Sequence, residues 1–400
     1  MTHAASALLK RFPEALRSRL LELRRDIHRE PELAFEEHRT AARLEQALRD
    51  VGVTDVRRLA GTGVIGRVKG TDARAPVVAI RGDIDALPIT EETGLPFASQ
   101  NAGVMHACGH DVHATWAVGA AALLAEAPAR GDVVIVLQPA EEVGRGASAM
   151  MDAGALDGVT MIFGGHVDRR FEVGQVVADV GPLAASADTF EIELVGQGAH
   201  AARPHEARDP IVGAAALITG LQTIVARKLN PATPGVVTVG QVNAGTAPNI
   251  IPDRASLRGT IRAVDPASRK LMHDELRRLA ESIAAAHGLT ARVDLPEGTP
   301  PLINVEAPIA AARTAVTSLL GADALVPLGI VNLAGEDFAC YLERIPGCFL
   351  RIGARERGGK PIPAHSPKFY ASEDSILIGS AVLAECARVA TAPVTSGGTR

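Results

Sequence analysis

The sequence predicts an α/β protein in which a mostly parallel sheet domain is interrupted by a smaller α+β domain. Short runs rich in β-branched residues alternate with helix-like stretches; these runs cover residues 63–68, 77–81, 133–137 and 161–164. That alternation is typical of a parallel sheet whose crossovers are helices. Between 185 and 297 the pattern changes to β-α-β-β-α-β, the order of a ferredoxin-like domain.

Each element follows from local spacing and boundary residues. Apolar residues at helical spacing predict a helix that ends before Pro31, with Leu16, Leu20, Leu23 and Ile27 on one face. Further helices are expected at 37–51, 112–126, 210–228, 267–286 and 376–390. The inserted domain adds strands at 188–195, 236–243, 255–264 and 291–295. The predicted domain pieces are therefore 1–184, 185–297 and 298–400, with a low-complexity Ser/Gly/Thr tail after Val394.

Composition excludes several classes of protein. Of the 400 residues 47% are hydrophobic but only 3% aromatic, so Ala, Val, Leu and Ile must fill the cores. A net charge of −5 shows no bias towards nucleic acid or anionic membranes. The scattered cysteines, which are expected to be reduced thiols, are Cys108, Cys340, Cys348 and Cys386. The first ten residues become charged too early for a signal peptide, so we expect a cytoplasmic protein.

The most reactive stretch of the chain is 105–115, Met-His-Ala-Cys-Gly-His-Asp-Val-His-Ala-Thr. It places three histidines, a cysteine and an aspartate within eight positions, from His106 to His113. Imidazole, thiolate and carboxylate groups bind borderline transition metals. A turn can carry a histidine by chance, and a buried cysteine can pack as a small hydrophobe. A metal site therefore requires partners elsewhere in the chain.

Such partners follow predicted strands or lie in a loop: Glu141 with Glu142, His166, and His365. Open α/β sheets place their sites at the carboxyl ends of strands. Taken singly, the glutamates also fit a solvated turn and each histidine an incidental position. Together the chain offers five ligands, enough for two metal ions that share one group: Cys108, His110, Glu142, His166 and His365.

Motifs along nearly the whole chain carry a resemblance to a known family. They are Arg25-Asp26-Ile27-His28 with Pro31-Glu32-Leu33, residues 81–88 (Arg-Gly-Asp-Ile-Asp-Ala-Leu-Pro), 105–111, 138–142 (Gln-Pro-Ala-Glu-Glu), 198–202, 248–252, 335–338 and 365–367. This set resembles the aminoacylase and carboxypeptidase family of two-metal amidohydrolases, and within it the branch of hippurate hydrolase and the plant hydrolases of indole-acetyl amino acids.

The resemblance implies that the five ligands bind two divalent ions per subunit, such as Zn, Mn, Co or Ni. Cys108 stands where much of the family has a bridging aspartate, so a bridging thiolate is expected. Glu141 is implied to be the general base that acts on metal-activated water. Asp83 is implied to orient a ligand. Arg81 departs from a metal-binding histidine of other branches.

The inserted domain is implied to contribute to the site and to form a homodimer or a higher oligomer. His200 corresponds to a histidine that polarises the scissile carbonyl in the partner's site. Asn249 and Arg262 correspond to groups that hold the substrate's carbonyl or carboxylate, and Glu336 to a residue that faces the site. The remaining reactive groups of the cluster are expected to support or pack rather than bind metal: His106, Asp111 and His113.

The expected activity is hydrolysis of the amide of N-acyl-L-amino acids, without nucleic-acid or membrane partners. A dipeptidase or carboxypeptidase using the same two metals is the alternative. Other possibilities are an enzyme with Cys108 as nucleophile, activated by a neighbouring histidine, and a metal-binding protein without catalysis, in which Glu141 would have no role.

Overall fold

Ten α-helices form within residues 3–393, the part of the chain that the structure, a computed structural model, describes. Met1, Thr2 and the predicted tail from Val394 lie outside it. The helices are α1 His3–Arg11, α2 Glu14–Arg29, α3 His38–Asp50, α4 His110–Glu126, α5 Gly146–Asp152, α6 Pro210–Thr223, α7 Pro266–Ala286, α8 Glu306–Leu320, α9 Phe338–Leu342 and α10 Asp374–Thr391.

The same residues form fifteen strands. They are β1 Asp55–Leu59, β2 Gly63–Val68, β3 Val77–Asp83, β4 Val133–Gln138, β5 Val159–Glu172, β6 Val176–Val177, β7 Gly181–Ala184, β8 Asp188–Val195, β9 Ala199–His200, β10 Gly235–Ala244, β11 Ile250–Ile251, β12 Arg254–Ala263, β13 Thr290–Asp294, β14 Leu302–Asn304 and β15 Gly347–Arg355.

The chain folds into two units. The first comprises Met1–Gly181, Asn304–Ile330 and Cys340–Arg400, as far as these are described. The second comprises Pro182–Ile303 and Val331–Ala339. The domain boundaries drawn from the sequence stay predictions, and each unit is described by itself below.

A seven-stranded sheet, in the order β1-β2-β4-β3-β5-β15-β6, is the centre of the first unit. Its four central strands, β4, β3, β5 and β15, run parallel. The outer strands β1, β2 and β6 pair antiparallel with their neighbours. Strand β4 is buried along its whole length, as expected of a parallel strand covered on both faces. The predicted mostly parallel sheet is confirmed for this central part.

Helix α4 lies in the middle of the first core. It contacts β3, α2 and α10, and its residues are buried around the full circumference of the first three turns. A helix that is apolar on every side is stable only when it is enclosed. Trp116 in α4 is fully buried. The reactive residues at the start of α4 are therefore fixed by the best-packed part of the unit.

The second unit has a four-stranded antiparallel sheet in the order β10-β12-β8-β13, covered by α6 and α7. Its chain order, β8-α6-β10-β12-α7-β13, confirms the predicted ferredoxin-like arrangement. Both helices begin at an Asp-Pro pair: Asp209 accepts hydrogen bonds from the backbone of the first turn of α6, and Asp265 does so in α7. Apolar residues alternate along β8 and face the core: Phe190, Ile192 and Leu194.

Helix α6 continues as a π-helical turn at Ile224–Lys228. Within the described residues, Pro210–Lys228 is the one helix long and apolar enough to cross a membrane, with a mean hydropathy of 1.4. A core helix of a soluble protein passes the same test. One face of this helix is buried in the second unit's core, through Leu217, Leu221 and Ile224, while Ile211 and Val212 on the same helix are exposed.

Candidate metal centre

The fold of the first unit brings the five expected ligands into one cluster. Strand β4 leads into Glu142, His166 lies in β5, and His110 is the first residue of α4. Cys108 Sγ lies 3.2 Å from His166 Nε2, and His365 Nε2 lies 3.4 Å from Glu142 Oε2. Among the described residues, five triads have ligand atoms within 4.8 Å of one another, and two of these triads contain Cys108: Cys108, His110 and His166, and Cys108, Glu142 and His365. These two triads share Cys108, which is the arrangement that two bridged cations require.

Two atoms of this cluster are buried without a hydrogen-bond partner among the residues that the structure describes: His110 Nε2 and Glu142 Oε1. They lie 3.8 Å apart. Unpaired buried polar atoms are costly, so they mark positions where an additional group belongs. A divalent cation satisfies both atoms, and the residues present therefore fit a metal site.

Negative charge converges on the same point. His110 Nε2 lies 3.8 Å from Asp83 Oδ2 and 3.9 Å from Glu141 Oε2, in addition to its contact with Glu142. Burial lowers the pKa of His110, but the Asp83 charge and the hydrogen bond to Asp85 outweigh it, so that the pKa is raised well above its usual range. The site therefore favours a positive charge.

Asp85 holds two of the ligands in place. His110 Nδ1 donates to the Asp85 carbonyl at 2.9 Å and lies 3.1 Å from Oδ1, which directs Nε2 towards the cluster. The other carboxylate oxygen, Oδ2, accepts the Glu142 N–H at 2.9 Å. His166 is oriented by its Nδ1, which donates to the Val167 carbonyl at 2.7 Å. These contacts occupy Nδ1 in both rings, so Nε2 is the nitrogen that each histidine presents to the cluster.

Asp83, which the resemblance placed behind the ligands, lies 3.8 Å from His110 Nε2 and has closer partners as well. It is fully buried, pairs with Arg81 and accepts a 2.6 Å hydrogen bond from His113. Burial raises the pKa of Asp83, but the charge of Arg81 and the nearby histidines hold it well below the usual range. Arg81 is thus the counter-ion of Asp83, and the orienting contact to His110 Nδ1 comes from Asp85.

The turn that carries Glu141 has a strained backbone. Ala140 in this turn has φ +54°, a region that residues other than glycine rarely adopt. His365, in a separate loop, has a similar φ of +65°. Glu37 is completely buried and accepts the Ala140 N–H at 3.0 Å and the Thr62 hydroxyl at 2.5 Å. Burial raises the pKa of Glu37. Sequence reasoning placed Glu37 only at a helix start and missed this contact.

Gly109 allows Cys108 and His110 to lie on either side of one tight turn. Its φ is +91°, and a Cβ there would lie 2.4 Å from Val167 Cγ2. Glycine adopts this conformation without strain and leaves room for β5 to approach. The Cys-Gly-His order thus sets the geometry at the start of α4.

The other reactive groups of 105–115 are buried; Asp111 and His113 are hydrogen-bonded to other residues, whereas neither ring nitrogen of His106 has a hydrogen-bond partner among the described residues. Asp111 accepts hydrogen bonds from Arg24 at 2.7 Å and His28 at 2.8 Å. Burial lowers the pKa of His106 to about 3, so its ring is neutral. His113 bonds to Asp83 and to the backbone of Val167. None of the three belongs to the two triads that share Cys108.

The thiol of Cys108 is poorly suited to act as a nucleophile. Burial, and then the charge of Glu142, raise its pKa well above the usual range. Reactive cysteines need the opposite, a pKa lowered by positive surroundings. This counts against the alternative in which Cys108 attacks the substrate.

The remaining expected site residues belong to the second unit. His200 in β9 pairs with Ile250 in β11, and Ala201 N–H donates to the Asn249 carbonyl at 3.0 Å, so His200 and Asn249 share one small ribbon. Arg262 lies in β12, and its half-burial lowers its pKa. Glu336 Oε1 accepts the Phe338 N–H at 3.0 Å at the start of α9, which gives it a capping role.

Comparison with known proteins finds relatives of one family. The model of peptidase family M20/M25/M40 matches residues 79–389. Three curated relatives are similar over nearly their whole length: N-acetyl-L-cysteine deacetylase of Bacillus subtilis (41% identity, 93% of this chain and 88% of the relative), thermostable carboxypeptidase 1 of Saccharolobus solfataricus (36%, 90% and 92%) and IAA-amino acid hydrolase ILR1-like 2 of Arabidopsis thaliana (38%, 92% and 84%).

A solved structure shares the fold. The YXEP protein of Bacillus subtilis, described as a dinuclear metal-binding peptidase of the M20 family, superposes with a TM-score of 0.83 at 37% identity, covering 95% of this chain and 99% of that one. The family model covers more than half of the chain, and the three hydrolase relatives match over 84–92% of their own length. The chain therefore belongs to peptidase family M20/M25/M40 and is a hydrolase.

Proposed function

We propose that this protein hydrolyses the amide bond of N-acyl-L-amino acids with two divalent metal ions per subunit. Cys108, His110 and His166 would hold one ion, and Cys108, Glu142 and His365 the other. The sharing of Cys108 by these two triads is the observation that carries the proposal. The similarity to the YXEP protein, a dinuclear metal-binding peptidase, supports it.

Bound divalent ions supply a Lewis acid for the scissile carbonyl and lower the pKa of water towards neutrality. Glu141 would act as the general base that takes the proton from this water. Its carboxylate is partly exposed and lies beside the cluster, 3.9 Å from His110 Nε2. It accepts a proton from the attacking water and delivers it to the leaving amine nitrogen. His200 would polarise the carbonyl in the site of the partner subunit, and Asn249 and Arg262 would hold the substrate's polar groups.

The substrate class is supported by two relatives. One is named for an N-acetylated amino acid and the other for IAA-amino acid conjugates. Both substrates carry an amino acid on the amine side of the bond that is cleaved. The carboxypeptidase relative favours a second candidate, a peptidase that uses the same centre. A homodimer formed through the second unit remains a prediction, as does a cytoplasmic location.

The test combines metal analysis with a substrate panel. Purified protein should contain two divalent ions per chain, lose turnover on treatment with EDTA and regain it with Zn²⁺, Mn²⁺ or Co²⁺. N-acetyl and N-benzoyl amino acids should be hydrolysed faster than dipeptides. Faster cleavage of dipeptides would favour the peptidase, and full activity of the metal-free protein would refute the proposed mechanism.

A variant of the base separates catalysis from metal binding. Glu141→Ala should lower kcat by at least about 100-fold, because general acid–base catalysis is worth about 10²–10⁴. It should keep two ions, since Glu141 is outside both triads that share Cys108. Glu126→Ala, at the far end of α4, is the matched control and should retain full turnover. An active Glu141→Ala protein would contradict the assigned role.

A further inference from the structure

His113 lies behind the candidate metal centre, and both of its ring nitrogens are engaged. Val167 N–H donates to His113 Nε2 at 2.9 Å, so this nitrogen carries a lone pair. His113 Nδ1 must then carry the proton, which it donates to Asp83 Oδ1 at 2.6 Å. The ring is fully buried and stacks on Trp116, with 4.6 Å between ring centroids. Its tautomer and orientation are therefore fixed.

The ring lies where the sheet changes its pairing. Strand β5 pairs with β3 as far as Phe163, opposite Ile80, while its pairing with β15 continues through His166 and Val167. Beyond Phe163 the ladder between β5 and β3 has ended. His113 connects the last residue of β3, Asp83, to Val167, so the imidazole takes the place of a strand-to-strand hydrogen bond.

This connection leads directly to a candidate ligand. Both polar backbone groups of Val167 are used: its N–H by His113, and its carbonyl by the Nδ1 of His166. The rings of His113 and His166 also meet edge to face, with centroids 4.6 Å apart. Because Val167 is bonded to both rings, a displacement of His113 would also displace His166.

We propose that His113 is a positioning residue: by joining Asp83 to Val167 it holds His166 at the distance from Cys108 that one of the two metal ions requires. The inference rests on the proposed two-metal function. It assigns His113 no contact with metal, because both ring nitrogens already have hydrogen-bond partners.

Two substitutions of His113 each keep one of the ring's two hydrogen bonds and remove the other. His113→Asn places an amide nitrogen where Nδ1 lies, which keeps a donor for Asp83 and removes the acceptor for Val167. His113→Gln places an amide oxygen near the Nε2 position, which keeps an acceptor for Val167 and removes the Asp83 contact. His273→Gln is the matched control: His273 is a buried histidine of the second unit that lies 3.0 Å from Asp188.

Metal affinity is measured by titrating each metal-free protein with Zn²⁺ or Co²⁺, alongside thermal unfolding. We expect His113→Asn to weaken one of the two ions by about 10- to 100-fold, as losses of such supporting contacts do. His113→Gln should weaken the affinity for this ion less, and neither variant should change the affinity for the second ion by much. His273→Gln should change neither affinity. In kinetics kcat should fall more than KM rises. Two ions bound with unchanged affinity in both His113 variants would overturn the inference, even if their stability falls.

A measurement on the wild-type protein tests the role of His113 even if the variants fail to fold. The ring ¹⁵N resonances of His113 should show a protonated Nδ1 and an unprotonated Nε2, both before and after metal is added. Protonation at Nε2, or a shift of Nε2 typical of a metal ligand, would overturn the assignment. If the wild-type protein binds no metal and turns over no substrate, the proposed function fails, and this inference fails with it. If the wild type is active but the His113 variants bind metal normally, only this inference fails.

Discussion

Single buried carboxylates shape the turn that carries Glu141 and Glu142. Glu37 accepts the N–H of Ala140, and Asp85 accepts the N–H of Glu142. Both carboxylates are almost completely buried. Each replaces water as the partner of a backbone group, and a buried N–H left unpaired costs about 1–3 kcal/mol. The positive φ of Ala140 persists because these contacts hold it.

Glu37→Ala should therefore damage both stability and catalysis. We expect a loss of about 2 kcal/mol in the free energy of unfolding, because the Ala140 N–H loses its acceptor. The displaced turn should also lower kcat by about tenfold or more. Urea unfolding and steady-state kinetics check both. Glu36→Ala, at an exposed neighbouring side chain, should change neither, and an equal effect of the two variants would disprove the specific role of Glu37.

At the scale of the elements, strand β15 shows where a sequence pattern does not predict the structure. Strand β15 is central to the sheet and almost wholly buried, yet its sequence, Gly-Cys-Phe-Leu-Arg-Ile-Gly-Ala-Arg, does not by itself predict a specific strand. It contains two glycines and the buried Arg351. Such residues weaken a strand pattern, and pairing with β5 on one side and β6 on the other holds the segment extended.

Gly109→Ala tests the junction at the start of α4. The added methyl group would meet Val167 Cγ2 at 2.4 Å in a left-handed conformation. We expect a loss of about 2–4 kcal/mol, the sum of conformational strain and overpacking, together with weaker metal binding. Gly94→Ala is the control, because Gly94 has φ +70° but open space around it. It should cost only about 1–2 kcal/mol and leave metal affinity intact. Equal metal affinity in both variants would count against the junction's role.

At the scale of the whole molecule, a buried ion pair links the stability of the second unit to pH. Asp188 accepts hydrogen bonds from Arg269 and from the backbone of Gly298 and lies beside His273. Burial raises the pKa of Asp188, but these partners together hold it well below the usual range. Because the folded pKa is depressed, the pair stabilises the protein above the unfolded pKa of about 3.9. That contribution is lost as the pH falls through the folded value.

Asp188→Asn should remove this dependence. At pH 7 it should lower the free energy of unfolding by about 3 kcal/mol, since Arg269 is left without its counter-charge. Between pH 5 and pH 2 the Tm of the wild type should fall more steeply than that of the variant, as followed by thermal denaturation monitored with circular dichroism. Asp274→Asn, at an exposed pair with Lys270, should leave the wild-type curve unchanged. Parallel curves for the wild type and Asp188→Asn would refute the assignment.

The sequence by itself determined the parallel sheet, the ferredoxin-like unit and the cluster around Cys108 and His110. Those features follow from local period, composition and neighbouring residues, which are all written along the chain. Only the tertiary structure decided that Asp85 orients His110, that Glu37 supports the Glu141 turn and that His113 joins Asp83 to Val167. These contacts join residues 25 to 103 positions apart. A buried polar group takes its partner from whatever the packed core brings within hydrogen-bond reach, and no local pattern encodes that choice.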